Sequence, residues 1–516
     1  ITNESLPSSQ TIQTFSIHRS TQAISLAYLI KTLNLKKDNK LIKLITDSLE
    51  KFIDNAIDGE DFIKMKLLVN HCNAILTHKN LFNEETITKI IGDLGGIHFY
   101  LSEYKEAQKI LEKYFVNLDN NKDINSLNLA KVALYLGCVY KELEEYEKTT
   151  KLIEKSLPIH KSNLPKNYSR YARALRYLGD TYREQGYFVK AKESLEECYT
   201  IYQKYLPKNH IGVAWSLASL GNTQEDLGNY KEAKNLLEQA LTIYKINCSQ
   251  NHLGTARLLI YIGNTYKNLG DYEKAKVMFE KSLKIYQKYL PEGHVDITVG
   301  FIHLGNIYAD LGKYKTAKEI FEKLLFTYEK NHPRFCDAWV LFYLGNIHKN
   351  LGDYEKAKIM FEQSLKIYQK YLPEDHVDTM WVLAYLGNVE IDLGHYEQAK
   401  QLLEKSLNIY RYKKHLPENH PWITTIMTYF AQLYKEMGQY KKAEDLQKQN
   451  LKIYEEKFGH DHIKTAGIQR ALGEIYFSQG HLETAENYFN KALVTFRANE
   501  HPEYYKTLEN LSEPSL

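Results

Sequence analysis

The sequence predicts an all-α protein built as a solenoid of about ten helical hairpins. The first observation is a period of 42 residues, with one interval of 40 and one of 44, between apolar anchors that are mostly Leu followed by Gly. The anchors are Leu94, Leu136, Leu178, Leu220, Ile262, Leu304, Leu344, Leu386, Phe430 and Leu472. The second observation is a Gly eight residues after eight anchors, and the third is an aromatic residue ten residues after nine of them.

Each repeat is predicted to contain two helices joined by a tight turn. The Gly, as at Gly270, ends the first helix because it tolerates the left-handed conformation of a helix C-cap. The second helix carries apolar residues at helical spacing, as in Ala275, Phe279 and Leu283. Leu-Pro pairs then end it, since Pro lacks an N–H group and disfavours helical geometry in the residue before it. These pairs are Leu206-Pro207, Leu290-Pro291, Leu372-Pro373 and Leu416-Pro417.

The repeat resembles a known family over roughly residues 80 to 500. Leu-Gly-x-x-Tyr followed by Gly-x-Tyr-x-x-Ala is the tetratricopeptide repeat pattern, and the 42-residue period with Leu-Pro-x-x-His loops resembles the kinesin-light-chain type. The resemblance implies a right-handed superhelical solenoid. It also implies that the first helices line a concave surface that binds peptides or proteins.

The residues before the repeats predict a different organisation. We expect a winged-helix-like tail at 1–35, a helical connector at 36–80, ten repeat units at 81–500, and a C-terminal cap and tail at 501–516. The run Phe15-Ser16-Ile17-His18-Arg19-x-x-Gln22 resembles the end of the winged-helix domain in STAND (NB-ARC) signalling NTPases, although Ser20-Thr21 departs from its pattern. The chain begins with Ile1 instead of Met, so we expect further domains upstream.

Composition predicts a soluble, cytoplasmic protein. Lys and Arg number 67 against 64 Asp and Glu, so there is no global attraction to nucleic acid or anionic membranes. The five cysteines are dispersed, without C-x-x-C spacing, which favours a reducing compartment over a disulfide framework or a zinc site. No apolar run approaches the length of about 20 residues that spans a bilayer.

The sequence contains no catalytic or cofactor motif. It lacks G-x-x-x-x-G-K-S/T, G-x-G-x-x-G, H-E-x-x-H and G-x-S-x-G, so we predict neither an enzyme nor a bound cofactor within this chain. A histidine recurs in the loops between repeats, but one per repeat is too widely spaced to share a metal ion. We expect these histidines to close the loop ahead of the next helix. They are His210, His252, His294, His376, His420 and His462.

Amide and indole side chains recur at positions predicted to face the concave surface. Two positions after the anchor stand five successive asparagines, whose amides suit a partner's backbone, although Asn is also common there in such repeats. They are Asn222, Asn264, Asn306, Asn346 and Asn388. Five positions before the anchor stand Trp215, Trp339 and Trp381, three of the four tryptophans in the chain. Aromatic anchors supply much of the energy of protein interfaces, but each Trp is alternatively a packing residue inside the stack.

Charge on the same face predicts a basic N-terminal half and an aromatic C-terminal half. Lys89, Lys131, Arg173 and Arg257 stand five before the anchor, and Arg176 stands two before it. A protein or peptide with an acidic segment fits such a surface, and its binding is expected to weaken with salt. A chaperone-type carboxylate clamp is not supported, because the position two before the anchor lacks Lys wherever Asn is present. Nucleic acid is disfavoured by interleaved acidic residues.

Two functions of different class therefore remain. In the first, this is the C-terminal ligand-sensing region of a STAND-type NTPase in immunity or signalling, where a bound protein triggers oligomerisation through upstream domains. In the second, it is a freestanding adaptor resembling kinesin light chain that tethers client proteins. The upstream sequence discriminates, because a phosphate loop followed by a winged helix supports the first, whereas a heptad coil or a start codon near Ile1 supports the second.

Overall fold

The computed structural model describes residues 40–58, 61–79, 82–120, 126–143, 145–247, 253–328, 335–372, 374–412, 421–499, 501 and 503–512. All 23 elements within these ranges are α-helices and none is a strand, which confirms the all-α solenoid. No helix in these ranges combines the length and the apolar character that a bilayer crossing requires. The winged-helix-like tail predicted at 1–35 lies outside the described residues, and the proposed domain division stays a prediction.

The chain folds as two compact units, residues 1–174 and 175–516, called here the N-terminal and C-terminal units. The described part of the N-terminal unit begins with α1 (Lys40–Asp58) and α2 (Phe62–Thr77), inside the range 36–80 predicted as a helical connector. Three hairpins start in this unit, and the unit boundary falls inside the first helix of the third. Their helices are α3 (Glu84–Tyr100), α4 (Tyr104–Asn120), α5 (Ser126–Glu142), α6 (Tyr146–Ser162) and α7 (Tyr168–Glu184).

The C-terminal unit contains the remaining hairpins, which makes ten over the described residues. Its helices are α8 (Phe188–Tyr205), α9 (Ile211–Asp226), α10 (Tyr230–Asn247), α11 (Leu253–Asn268), α12 (Tyr272–Tyr289), α13 (Val295–Asp310), α14 (Tyr314–Tyr328), α15 (Phe335–Asn350), α16 (Tyr354–Tyr371), α17 (Val377–Asp392), α18 (Tyr396–Tyr412), α19 (Pro421–Glu436), α20 (Tyr440–Phe458), α21 (Ile463–Ser478), α22 (Leu482–Ala498) and α23 (Glu503–Ser512). Hairpins 1 to 10 are numbered in chain order from α3/α4 to α21/α22.

The turn inside eight of the ten hairpins has the geometry that the sequence predicts. All eight glycines placed eight residues after an anchor have a positive φ, from 70° at Gly438 to 83° at Gly270. In hairpin 1 the equivalent residue is Ser102, which adopts φ 63° without being Gly. The aromatic residue two positions later begins the second helix in nine hairpins. The Ala three residues further, such as Ala317, is completely buried where the two helices pack together.

Loop histidines close the turn between hairpins by capping the next helix. The Nδ1 atoms of His210, His294, His376 and His462 each accept a hydrogen bond from the backbone N–H two residues ahead. This satisfies one of the free N–H groups at a helix start, so the predicted structural role of these four is confirmed. His252 and His420 lie outside the described residues.

Contacts between distant repeats occur inside the C-terminal unit. Tyr230 at the start of α10 stacks on Phe458 at the end of α20, with ring centroids 5.3 Å apart. Phe188 and Trp422 meet edge to face at 5.5 Å. The simple expectation for a linear array, that each repeat touches only its neighbours, is therefore wrong for this unit.

Candidate functional site

The main candidate site is a cavity of about 420 Å³ in the C-terminal unit, called here the aromatic cavity. Its wall is formed mainly by α11, α13, α15 and α17, the first helices of four successive hairpins. Four residues predicted from the sequence line it together: Asn306, Trp339, Asn346 and Trp381. The volume lies within the range of about 300–1,000 Å³ that is usual for ligand pockets.

The aromatic rings of the cavity hold one another in edge-to-face contacts. Phe342 meets Tyr385 at a centroid distance of 4.9 Å, and Tyr385 meets Tyr429 at 5.6 Å. Trp381 lies 5.6 Å from Trp422 of the next hairpin. Trp339 packs against the hydrophobic clusters of two adjacent hairpins. Both indoles therefore contribute to packing and also border the cavity, so the two alternatives drawn from the sequence are compatible.

Two titratable groups of the cavity wall, Lys267 and His303, are paired or neutral. Lys267 lies 3.4 Å from Asp310, and although burial alone lowers the pKa of Lys267, Asp310 and neighbouring tyrosines raise it above its usual value. Burial, assisted by the charge of Lys267, lowers the pKa of His303 to about 3, so this imidazole is neutral at physiological pH. Burial raises the pKa of Asp378, although His376 and a hydrogen bond from the Trp339 indole oppose that shift. The wall is thus amphipathic, and the exposed Lys464 adds a cation at its edge.

Ion pairs of one pattern link successive first helices of the C-terminal unit. A cation five residues after one anchor pairs with an aspartate six residues after the next anchor. The pairs are Arg183 with Asp226 at 3.2 Å, Lys267 with Asp310 at 3.4 Å, and Lys349 with Asp392 at 3.4 Å. These three cations are therefore paired with carboxylates of the neighbouring repeat.

A second group of predicted residues surrounds Trp215. The guanidinium carbons of Arg176 and Arg257 lie 5.9 Å and 5.6 Å from the centre of the Trp215 ring. Tyr244 contacts the same indole edge to face at 5.4 Å. Cation–π contacts of this kind contribute about 0.5–2 kcal/mol each. Arg257 is exposed, so this group combines an aromatic ring with an accessible cation.

The remaining predicted residues lie elsewhere. Arg173 is only 3% exposed, forms an ion pair with Asp58 within the N-terminal unit and does not line the aromatic cavity. Asn388 is 1% exposed, and its amide donates to Gln432 at 2.8 Å between two first helices. Asn222 is buried and Asn264 is half-buried, and neither borders the aromatic cavity. The asparagine row therefore serves packing between repeats as well as the cavity.

The family model described as tetratricopeptide repeat matches residues 128–204, 170–246, 254–330, 298–370, 336–411 and 422–498. These matches cover more than half of the chain and coincide with the observed hairpins. The chain belongs to the tetratricopeptide repeat family. Like this family in general, it is a protein-interaction scaffold. No catalytic family is indicated. The sequence matches none of the curated proteins with which it was compared.

Several solved structures are similar to this tetratricopeptide repeat chain. A Rap protein complexed with competence and sporulation factor is 12% identical, with a TM-score of 0.48 over 80% of this chain and 98% of that one. The apo quorum sensor NprR from B. thuringiensis is 14% identical, with a TM-score of 0.44 over 80% and 100%. A putative kinesin light chain from Podosopora anserina is 20% identical, with a TM-score of 0.25 over 46% and 94%. No function is carried over from these likenesses.

The tetratricopeptide repeat register explains which cavity residues sequence reasoning missed. Tyr343 and Tyr385 line the cavity from the position one residue before their anchors, which was not predicted to face inward. A signal was present, because Tyr recurs there in six hairpins, at Tyr135, Tyr177, Tyr261, Tyr343, Tyr385 and Tyr429. His303 occupies the same position in hairpin 6 and stacks on Phe279 at 5.2 Å.

Proposed function

We propose that this chain binds a protein or peptide segment in the aromatic cavity. The observation that carries the proposal is that Asn306, Trp339, Asn346 and Trp381 border one cavity from three successive first helices. Apolar walls with a few convergent polar groups are the usual character of binding sites. Aromatic residues in such a place supply binding energy, while the amides of Asn306 and Asn346 suit the hydrogen-bonding groups of a peptide backbone.

The charge of the cavity favours one kind of segment. Because Lys267 is paired with Asp310 and His303 is neutral, an acidic peptide gains little from either group. A segment with apolar or aromatic side chains and an uncharged stretch of backbone suits these walls better. The binding that we propose therefore depends only weakly on ionic strength, in contrast to the salt dependence expected from the sequence.

The wider context that we propose is a ligand-sensing region of a STAND-type signalling NTPase. Its support is the run Phe15-Ser16-Ile17-His18-Arg19-x-x-Gln22 ahead of the repeats. In this context, oligomerisation belongs to upstream domains. The alternative, an adaptor resembling kinesin light chain, is supported by the 42-residue period and its Leu-Pro-x-x-His loops. A phosphate loop followed by a winged helix in the upstream coding sequence favours the first, and a heptad coil there favours the second. A cytoplasmic location suits the buried cysteines Cys72, Cys138 and Cys198.

The binding site can be tested with peptides selected from a displayed random library on the whole chain. Selected peptides are expected to bind Asn346→Ala and Trp381→Ala at least tenfold more weakly than the unmodified chain in fluorescence anisotropy. Tyr289→Ala is the matched control, because this aromatic residue is exposed at the end of α12 and outside the cavity. Circular dichroism melting separates lost binding from lost folding. Peptides that bind all three variants equally well contradict the proposed site.

A further inference from the structure

An acidic stripe on α1 contacts basic residues on the first helices of hairpins 1 to 3 in the N-terminal unit. The acidic residues are Asp47, Glu50, Asp54 and Asp58, whose spacing of three, four and four places them on one face of a helix. The basic residues come from three successive repeats. They are Lys89 of α3, Lys131 of α5, and Arg170 and Arg173 of α7.

Every acidic residue of the stripe has a basic partner. Lys89 Nζ lies 2.6 Å from Asp47 Oδ1, and Lys131 Nζ lies 3.0 Å from Glu50 Oε1. The Nη2 atom of Arg170 lies 2.8 Å from Glu50 Oε1 and also 2.8 Å from Asp54 Oδ2. Arg173 pairs with Asp58. Asp58 also accepts a hydrogen bond from the Ser169 hydroxyl, with an Oγ–Oδ1 distance of 2.9 Å.

These pairs form a partly buried interface. Lys131, Arg170 and Arg173 are all buried, and the same side of α1 buries Ile53 and Ile57. Burial by itself raises the pKa of Glu50, but the charges of Lys131, Arg170 and Lys89 outweigh it and hold that pKa far below its usual range. Outside α1, Lys131 pairs with the buried acid Asp93, and Arg173 donates a hydrogen bond to the Tyr135 hydroxyl. An acidic partner of matching shape suits this surface.

Helix α1 contacts the repeat position at which a ligand is expected to bind. Lys89, Lys131 and Arg173 stand five residues before their anchors. In the C-terminal unit, Trp339 and Trp381 stand at this same repeat position and border the aromatic cavity. Thus α1 covers, in the N-terminal unit, the same repeat position that borders the aromatic cavity in the C-terminal unit. On its outer side, α1 exposes Leu44 and Phe52.

We propose that α1 is an intramolecular ligand of this basic surface. A partner protein that presents an amphipathic helix with four carboxylates at the spacing of Asp47, Glu50, Asp54 and Asp58 competes with it. The basic surface is thus a second binding site, distinct in residues and chemistry from the aromatic cavity. Its partner is acidic and helical, and α1 regulates access to it.

The test uses the unmodified chain and a synthetic peptide of residues 40–58 labelled with ¹³C and ¹⁵N, so that its mass differs from that of α1. Hydrogen–deuterium exchange is followed by mass spectrometry with and without excess peptide. Exchange of α1 in the chain is expected to become at least tenfold faster when the peptide takes its place. A peptide with all four acidic residues changed to their amides is expected to have no effect.

A second measurement follows binding directly by anisotropy of the fluorescein-labelled peptide. The Asp54→Asn/Asp58→Asn chain is expected to bind it at least tenfold more tightly than the unmodified chain, and 0.5 M salt is expected to weaken that binding. Glu106→Gln/Glu147→Gln is the matched control, because these acids are exposed on α4 and α6, outside the α1 interface, and it is expected to behave as the unmodified chain does.

The outcomes separate a displaceable ligand from a permanent element. If α1 exchanges as slowly as α5 and the peptide does not change this rate, α1 is a fixed part of the core and the proposal is overturned. Equal effects of the acidic and the amidated peptide overturn the charge recognition. If the doubly substituted chain does not fold, the exchange experiment on the unmodified chain still decides. None of these results depends on whether the aromatic cavity binds peptides.

Discussion

Two loop histidines of the C-terminal unit each make two hydrogen bonds that need a neutral imidazole. His376 and His462 accept an N–H bond at Nδ1, at 3.2 Å and 3.1 Å. Their Nε2 atoms donate to the carbonyl oxygens of Glu184 and Asn268, both at 3.1 Å, at the ends of first helices almost 200 residues earlier. Protonation at Nδ1 removes the acceptor, so it destroys the helix cap. A single side chain thereby links a local turn to contacts between distant repeats.

We expect His462 to make the C-terminal unit sensitive to mild acid. Burial lowers the pKa of His462 from 6.5 to about 4. As the pH falls below 6.5, the unfolded chain binds a proton at this histidine that the folded chain does not bind. The stability that the neutral His462 provides is therefore complete above pH 6.5 and is lost towards pH 4. The full loss amounts to about 3 kcal/mol, because each pKa unit corresponds to about 1.4 kcal/mol.

Substitution of His462 tests this sensitivity. Asn caps helices well but does not titrate, so His462→Asn is expected to lose less stability than the unmodified chain between pH 6.5 and 4.5. Urea unfolding followed by circular dichroism measures the difference at each pH. His460→Asn is the control, since its side chain is 77% exposed in the same loop. An unchanged pH profile in His462→Asn argues that other groups cause the acid sensitivity.

At the scale of the helical hairpin, the Gly after each anchor sets the distance between the two helices. A Cβ atom added at Gly305 would lie 2.7 Å from Phe321 Cζ, and at Gly263 it would lie 2.5 Å from Phe279 Cε1. Hairpin 9 has Ala431 instead, and there Gln447 replaces the large apolar residue of the second helix. The recurring Leu-Gly pair is thus a requirement of close packing, and the side chain that packs on the Gly lies sixteen residues later in the chain.

Two glycines of the C-terminal unit are expected to respond oppositely to the same substitution. Gly305→Ala overpacks the interface with Phe321 and is expected to cost about 1–3 kcal/mol. Gly467, inside α21, has no neighbouring atom within 4 Å of an added Cβ, so Gly467→Ala is expected to stabilise the chain by about 0.5–1 kcal/mol. Urea midpoints of the two variants check both signs. A similar loss in both variants contradicts the packing explanation.

A buried hydroxyl also joins the two helices of several hairpins. Ser282, Ser364 and Ser406 donate to the backbone carbonyl 26 residues earlier, at 2.7, 2.8 and 2.9 Å. In hairpin 9, Asn450 makes the equivalent bond to Thr424 at 3.2 Å. All four side chains are fully buried, so the bond crosses the hairpin interface out of contact with water. This polar clamp lies within an otherwise apolar contact.

Removing the clamp is expected to weaken the hairpin moderately. Ser364→Ala loses one buried hydrogen bond and is expected to lower the free energy of unfolding by about 1 kcal/mol. The control is Ser194→Ala, because the Ser194 hydroxyl is exposed and donates only to Lys190 of its own helix. That change is expected to stay within about 0.5 kcal/mol of the unmodified chain. Equal effects in urea unfolding argue against a role for the clamp.

The hairpins could be predicted from the sequence because their signals are local and repeated. A Gly with positive φ, an aromatic first residue and a buried Ala each act within one 42-residue repeat, so ten copies reinforce one another. The pairing of Arg173 with Asp58 could not be predicted, because Asp58 belongs to a helix outside the repeat register. The cavity was predicted in part, since Trp381 stands out by its rarity whereas Tyr385 is one of 41 tyrosines.

At the scale of the whole molecule, each of the two compact units adds contacts that a linear array of repeats does not need. In the N-terminal unit, α1 joins the first helices of three hairpins through ion pairs. In the C-terminal unit, hairpins far apart in sequence meet through aromatic rings and through the loop histidines. Stability in such a unit is not a sum of nearest-neighbour terms alone. A local change is therefore expected to spread to distant repeats.

Phe458→Ala tests whether distant repeats of the C-terminal unit are energetically coupled. Phe458 stacks on Tyr230 at 5.3 Å and on His462 at 4.7 Å, so its removal weakens hairpin 9 and also the start of α10 in hairpin 4. Hydrogen exchange at residues 228–233 is expected to become faster by roughly tenfold for each 1.4 kcal/mol of lost local stability. These residues lie more than 220 positions earlier in the chain.

The matched control is Tyr371→Ala, because Tyr371 is likewise an aromatic residue that ends a second helix, but it is exposed. It is expected to change exchange only near its own hairpin. If Phe458→Ala also accelerates exchange only in hairpins 8 to 10, the ring contact with Tyr230 carries no stability and the C-terminal unit behaves as a nearest-neighbour array. Faster exchange at residues 228–233 without change in the intervening hairpins 6 and 7 shows instead that coupling passes directly through the stacked rings.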